Sequence, residues 1–197
     1  MKLFLTSINN IDPEKEYNIS PERREKVKRY KQYNDKKRCI AAGLLIEKLL
    51  PQTLITYNEY GKPITKNGPC FNISHSGEYV LIAISDCDVG CDIQHIKHMK
   101  ANKIPKLIFA EKELDFIRNS MDKTDAFYKM WTKKESVLKC IGEGFHRAAK
   151  GVDVSSEIYY ENGTDYYFKT YSFSDYIISV SSKQNLFPKY INFIEKF

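Results

Sequence analysis

Val89-Gly90-Cys91-Asp92-Ile93-Gln94-His95-Ile96 is the stretch on which the reading of the fold turns. It predicts a strand, and on a strand Asp92 and Gln94 point the same way, about 7 Å apart. Two oxygen-bearing side chains so placed can frame a hard cation. They can equally be the water-facing side of a strand end. After this strand the chemistry of the chain changes.

Upstream, Ser20-Pro21-Glu22 reads as a helix start: a capping serine, proline at the first position, then an acid. The helix is expected to run to about Tyr33. Asp35 is expected to cap a second helix, with Ala41, Ala42, Leu44, Leu45 and Leu49 on one face and Pro51 ending it. Met1 to Ile8 is apolar but short, and no small-residue cleavage site follows, so it reads as a first strand. Strands are expected at residues 55–57, 71–74 and 79–85, separated by Gly61, Pro63 and Ser76-Gly77.

Downstream, residues 109–119 and 124–141 have helical spacing. In the second, Phe127, Met130, Trp131, Leu138 and Ile141 share a face, and Gly142 and Gly144 stop it. The tail is rich in β-formers at 157–160, 166–171 and 176–182, and Asn162-Gly163 is a hairpin signal. Each half therefore carries helices plus a mainly antiparallel sheet, an α+β pattern.

Composition narrows the function. The 197 residues are 42% hydrophobic and 13% aromatic, enough for a real core. The chain has no apolar run long enough to span a bilayer. Five cysteines, at 39, 70, 87, 91 and 140, form no CxxC and suit reduced thiols in the cytoplasm. The net charge of +6 comes from one place: residues 22–38 hold nine Lys and Arg against three Asp and Glu. Such a helix can bind phosphates, nucleic acid or an acidic protein, or simply face water.

Three stretches can carry chemistry. Besides the Asp92 strand, Trp131-Thr132-Lys133-Lys134-Glu135-Ser136-Val137-Leu138-Lys139 places Glu135 beside Lys139 on a helix, at the margin of the buried face. Glu135 can ligate a metal while Lys139 reaches a phosphate, or the two can form an ordinary surface ion pair. In Phe71-Asn72-Ile73-Ser74-His75-Ser76-Gly77, His75 at a strand end can donate to an anion, or be a satisfied turn histidine. Cys87, Cys91, His95 and His98 superficially resemble a zinc set. On a strand, however, Cys91 and His95 lie about 13 Å apart, too far for one ion. The nucleophile elbow of a serine hydrolase does not occur.

In order, these stretches resemble the surfactin-synthetase-activating (Sfp-type) 4′-phosphopantetheinyl transferases over nearly the whole chain. Residues 19–26 are similar to the family's basic first helix, and Arg38 and Gly43 fall in its second. Tyr60-Gly61-Lys62-Pro63 looks like its GKP turn, Phe71 to Ser76 like its FNISHS strand, and Gly90-Cys91-Asp92-Ile93 like its metal strand. Phe109-Ala110-Glu111-Lys112-Glu113 and Trp131-x3-Glu135-Ser136-x2-Lys139 match the closing pair.

The resemblance implies two similar α+β halves, 1–87 and 88–197, packed as a pseudo-dimer, with the site in the cleft between them. It implies transfer of 4′-phosphopantetheine from coenzyme A to a serine of an acyl or peptidyl carrier protein, releasing adenosine 3′,5′-bisphosphate. Asp92 and Glu135 are expected to hold Mg²⁺, or Mn²⁺ in its place. Gln94 stands where the family usually has Glu, and would ligate directly or through water. Arg23, Lys26 and Arg38 are expected at the 3′-phosphate. Tyr60, Gly61, Lys62, Pro63 and Ser74 are expected on the adenine and ribose side, and His75 and Lys139 at the diphosphate. Glu135, Lys139 and His75 are the expected catalytic groups. The implied protein is a cytoplasmic monomer with no membrane or nucleic-acid partner. Two other readings stand beside it: a nucleic-acid-binding module built on helix 22–38, and an inactive family member acting as a binding protein.

Overall fold

In the computed structural model, which describes residues 1–98, 107–144 and 148–197, two four-stranded sheets meet edge to edge at the 89–95 strand. β1 (Lys2–Ser7) buries Leu3 and Leu5 by simple alternation. α1 (Pro21–Arg29) starts where expected: Ser20 Oγ accepts the Arg23 amide at 3.2 Å. It stops at Arg29, short of Tyr33, because Tyr30 is already extended. α2 (Tyr33–Leu49) follows at once, with Gln32 and not Asp35 at its cap. Asp35 instead lies in the first turn and pairs with Arg38. α2 buries Cys39, Ile40, Ala41, Ala42, Leu44 and Leu45. A Cβ on Gly43 would crowd Ile19, so the chain ahead of α1 packs directly on α2.

A small hairpin, β2 (Ile55–Tyr57) and β3 (Pro63–Thr65), leads into β4 (Cys70–Ser76) and β5 (Tyr79–Ser85). β5 pairs antiparallel with β1 on one side and β4 on the other, with Ile82 opposite Phe4 and Ile73.

The second half opens with β6 (Val89–His95), then α3 (Glu111–Asn119) and α4 (Lys123–Ile141). Asp122 caps α4 through the amides of Thr124 and Asp125. Gly142, at φ 94°, ends it, a conformation that costs a glycine little. β7 (Ile158–Glu161) and β8 (Thr164–Phe173) form the expected hairpin, with Asn162 and Gly163 both at positive φ. β9 (Tyr176–Ser182) is buried along its whole length between β8 and β6. Among the described residues each half thus runs strand, two α-helices, then further strands, and β1 pairs antiparallel with β5 as β6 does with β9. The last short strand, β10 (Asn192–Phe193), crosses back and adds parallel to β1 in the first sheet.

Two apolar cores pack helices on sheets. A third joins the sheets themselves: Leu3, Leu5, Leu81 and Ala83 of the first against Val89, Cys91, Ile93, Ile178 and Val180 of the second. Inside the second core lies a buried ion pair. Lys134 Nζ bonds Glu113 Oε2 at 2.9 Å and donates to the carbonyls of Ala149 and Val152. Glu113 in turn accepts the amides of Ala110 (2.7 Å) and Val154 (2.8 Å). Every polar group of the pair is matched, as burial of charge demands.

β6 also touches α4 without any side chain between them. A Cβ on Gly90 would overlap the Ser136 carbonyl and the Cys140 amide. Gly90→Ala is therefore expected to push α4 off the sheet and lower unfolding free energy by about 1–3 kcal/mol, as overpacking does. Urea denaturation of the folded variant measures this.

Candidate active site

The edges of β4 and β6 are joined by side chains, not by a backbone ladder. β6 uses alternate amides on β9, and its outward amides need other acceptors. Asn72 Oδ1 accepts from Cys91 N at 3.1 Å, Ser74 Oγ from Ile93 N at 3.3 Å, and Ser76 Oγ from His95 N at 3.0 Å. Residues 72, 74 and 76 share one face of β4, so a single period-two pattern serves all three amides. This role for Asn72 and Ser76 was not read from the sequence. Its signal was there: polar residues at every second position of the strand.

The seam delivers Asp92 to a buried position, 2% exposed. Its Oδ1 accepts from Lys139 Nζ at 2.7 Å and from Ser74 Oγ at 2.7 Å. Its Oδ2 accepts from Gln94 Nε2 at 3.0 Å, so residues 92 and 94 do share a face. Lys139 also donates to Ser74 Oγ and the Cys91 carbonyl, both at 3.2 Å. The lysine therefore ties α4, β4 and β6 together, and its ion pair is with Asp92 of another element. Burial pulls the Lys139 ammonium down, but the Asp92 and then Glu135 carboxylates outweigh it, and its pKa is raised. Glu135, one turn earlier on α4, is pushed up to about 7. Burial is the main cause, Lys139 opposes it, and Asp92 adds to it. Two carboxyls and one ammonium thus act on one another at the end of the seam.

Lys139 is also the inner wall of a cleft of about 280 Å³ between the halves. α1 contributes Arg23 and Lys26; the β2–β3 turn contributes Tyr60, Gly61, Lys62 and Pro63; β4 contributes His75. Partial desolvation, then the Arg38 and Lys139 cations, hold the His75 imidazole below its usual range, although its ring still reaches solvent. Tyr30 and Tyr57 add aromatic walls that the sequence pattern did not single out.

Other expected residues sit elsewhere. Arg38 is not in the lining: its guanidinium donates to the Gly77 carbonyl at 2.7 Å and pairs with Asp35. Ser74 lies behind the cleft, bonded to Asp92. Asp92, Gln94 and Glu135 are not in the lining either; Asp92 meets the cleft through its bond to Lys139. Cys91 and His95 diverge, the thiol toward Asn72 and the imidazole toward Asp175. Among the described residues no group of three or more His, Cys, Asp or Glu side chains is placed to hold a metal; the oxygen-bearing side chains near one another are Asp92, Gln94 and Glu135.

The 4′-phosphopantetheinyl transferase superfamily profile matches residues 88–182. The chain is 37% identical over 139 residues to 4′-phosphopantetheinyl transferase gsp of Aneurinibacillus migulanus, covering 66% of this chain and 58% of that protein. It is 34% identical over 138 residues to 4′-phosphopantetheinyl transferase Sfp of Bacillus subtilis strain 168, covering 64% and 61%. A longer match, 28% over 196 residues, relates it to 4′-phosphopantetheinyl transferase ffp of Bacillus subtilis, covering 89% and 87%. The chain spans about three fifths of the length of the first two relatives. The profile runs from β6 to β9, just under half of the chain, and so takes in Asp92, Gln94, Glu135 and Lys139; over that stretch the chain is similar to the 4′-phosphopantetheinyl transferase superfamily.

Proposed function

We propose that the protein transfers 4′-phosphopantetheine from coenzyme A to a serine hydroxyl of an acyl or peptidyl carrier protein, releasing adenosine 3′,5′-bisphosphate. The observation that carries this reading is the continuity of the basic, tyrosine-walled cleft with the Asp92–Lys139–Ser74 cluster. A long anionic ligand laid along the cleft meets cations at both ends: Arg23 and Lys26 at the outer end, Lys139 at the inner.

The donor set fits Mg²⁺ or Mn²⁺. These ions favour one or two carboxylates, completed by phosphate oxygens and water. Asp92 and Glu135 would hold the ion, with Gln94 ligating by its oxygen or acting through its bond to Asp92. When bound, the ion supplies charge neutralisation at the diphosphate.

The chain's own residues do the rest. Arg23 and Lys26 bind the 3′-phosphate. Tyr60, Gly61 and Pro63 line the adenine and ribose side. His75 and Lys139 donate to the diphosphate oxygens and stabilise charge on the leaving group. The carrier serine oxygen attacks the phosphorus next to the pantetheine arm. A new P–O bond forms, the bond to the bridging oxygen breaks, and adenosine 3′,5′-bisphosphate leaves with that electron pair. Glu135 accepts the serine proton. Carrier proteins are typically acidic helical bundles, so the exposed cations of α1 would steer them in. The reading takes the protein as a cytoplasmic monomer with no nucleic-acid or membrane partner. No helix among the described residues is long and apolar enough to cross a membrane.

Three outcomes test this reading. Asp92→Ala and Glu135→Ala should each cut transfer by about 100-fold or more while the fold survives. Mass spectrometry of an apo carrier protein incubated with coenzyme A and Mg²⁺ reads the result, and near-normal turnover by either folded variant would end the assignment. The double variant Arg23→Ala/Lys26→Ala should weaken coenzyme A far more than 3′-dephospho-coenzyme A, since each charge-assisted contact is worth about 1.5–3 kcal/mol. Equal weakening of both would move these cations off the 3′-phosphate, and tight salt-sensitive DNA binding would favour the nucleic-acid reading. Gln94→Glu removes a donor to Asp92 and sets a second carboxylate against it. It should lower stability without added metal and strengthen Mg²⁺ binding to the free protein, as Coulomb attraction at short range requires. Titration followed by calorimetry checks both signs, and unchanged metal affinity would place Gln94 away from the ion.

A further inference from the structure

Lys62 lies in the turn that lines the cleft, yet its ammonium does not point into open space. It donates to Asp88 Oδ1 at 2.7 Å and to the Cys140 carbonyl at 2.7 Å. Cys140 is in the last turn of α4, whose carbonyls have no partner within the helix. One residue of the same turn, Asn58, adds a second tie: its Nδ2 donates to the Gly142 carbonyl at 2.9 Å. Asn58 Oδ1 meanwhile accepts the amides of Tyr60 and Lys62, which closes the turn on itself. Asp88 is the residue just ahead of β6, and its other oxygen accepts from Lys183 Nζ at 2.7 Å. Gly142 must lack a side chain here, because a Cβ would crowd the Lys62 stem.

These contacts do a job that the hairpin cannot do alone. β2 and β3 are three residues each and form a two-stranded sheet of their own. An isolated pair of that size is marginal in water. The turn between them forms one wall of the cleft, and α4, with Lys139 in its last turn, contributes another. The walls come from different halves of the chain. A cation at the negative end of the helix and a carboxylate at the root of β6 hold them together.

We infer that Lys62 and Asp88 are positioning residues: they strap the nucleotide-side hairpin to the C-terminus of the catalytic helix and so set the width of the coenzyme A cleft. The inference rests on the coenzyme A reading for what the cleft holds, but not for the strap itself. Lys62 then contributes to ligand binding through the placement of Tyr60, Gly61 and Lys139, and not as a direct phosphate contact.

Hydrogen exchange of the full chain without ligand, read by mass spectrometry, tests the strap. Lys62→Met and the near-isosteric Asp88→Asn should each speed exchange by about tenfold or more in residues 55–65 and in the last turn of α4, the loss expected for one charge-assisted hydrogen bond. The double variant should do no more than either single one. β9, buried throughout, should keep its protection; loss there too would mean general destabilisation and would overturn a local strap. Lys183→Met, which touches Asp88 but not the hairpin, should leave residues 55–65 unchanged. Unchanged exchange in Lys62→Met would also overturn the inference.

Calorimetric titration with coenzyme A gives the second arm. Both single variants should bind about tenfold more weakly. If Lys62→Met weakens binding while Asp88→Asn tightens it, the freed ammonium is a phosphate contact and the strap is wrong. If the wild-type chain binds no coenzyme A, the proposed function fails while the exchange result still decides the strap.

Discussion

The seam between β4 and β6 is the constraint on which the rest of the molecule depends. Each strand is the edge of its own sheet, and an edge leaves a row of backbone amides without partners. A direct ladder would have fused the sheets into one. Side-chain oxygens at 72, 74 and 76 meet the amides of 91, 93 and 95 instead. They satisfy the edge at a greater spacing than a ladder allows. The third apolar core fills in beside the seam and gives the joint its area. The polar residues of the strand thus serve register and solvation at the same time.

The electrostatics of the site grow from the same seam. Ser74 Oγ takes the Ile93 amide, receives Lys139, and donates to Asp92. One hydroxyl therefore links strand register to carboxylate orientation. Asp92 can be buried because three donors meet it, and Lys139 can be half-buried beside it because two carboxylates lie near it. Glu135 has the least compensation of the three, and its carboxyl is the one pushed up to about 7. Close packing at Gly90 holds α4 against β6, so the distance between these groups is set by backbone contact and not by flexible side chains. The neighbouring Glu113–Lys134 pair is a different kind of object. Its charges are spent on four backbone groups and fix the 149–154 segment beneath α4.

The basic excess of residues 22–38 shows how the fold divides a charge that composition only counts. Arg24 caps the Ile19 carbonyl, Lys28 pairs with Glu25, and Arg38 is held by Asp35 and Gly77. Lys37 lies over the Tyr33 ring. Arg23 and Lys26 line the cleft. A count of cations could not make that division, because it depends on which side of α1 faces α2 and where the chain turns at Tyr30.

From the sequence came the α+β pattern, the strands at 79–85 and 176–182, the Asn162-Gly163 turn, the Ser20 cap and the shared face of Asp92 and Gln94. All of these are set by local periodicity or by the chemistry of one or two residues. The helix ends near Tyr33 were misplaced because a three-residue break between helices, 30–32, leaves no Gly or Pro signal. Tertiary structure alone decided that Lys139 would bond Asp92 across elements, although Glu135 lies one turn away on its own helix. It also decided that Lys62 would turn to α4, that Arg38 would be drawn to Asp35 and Gly77, and that β10 would return to the first sheet. Each choice is between partners far apart in sequence, and it is settled by burial, the need to satisfy buried polar groups, and the way two sheets pack.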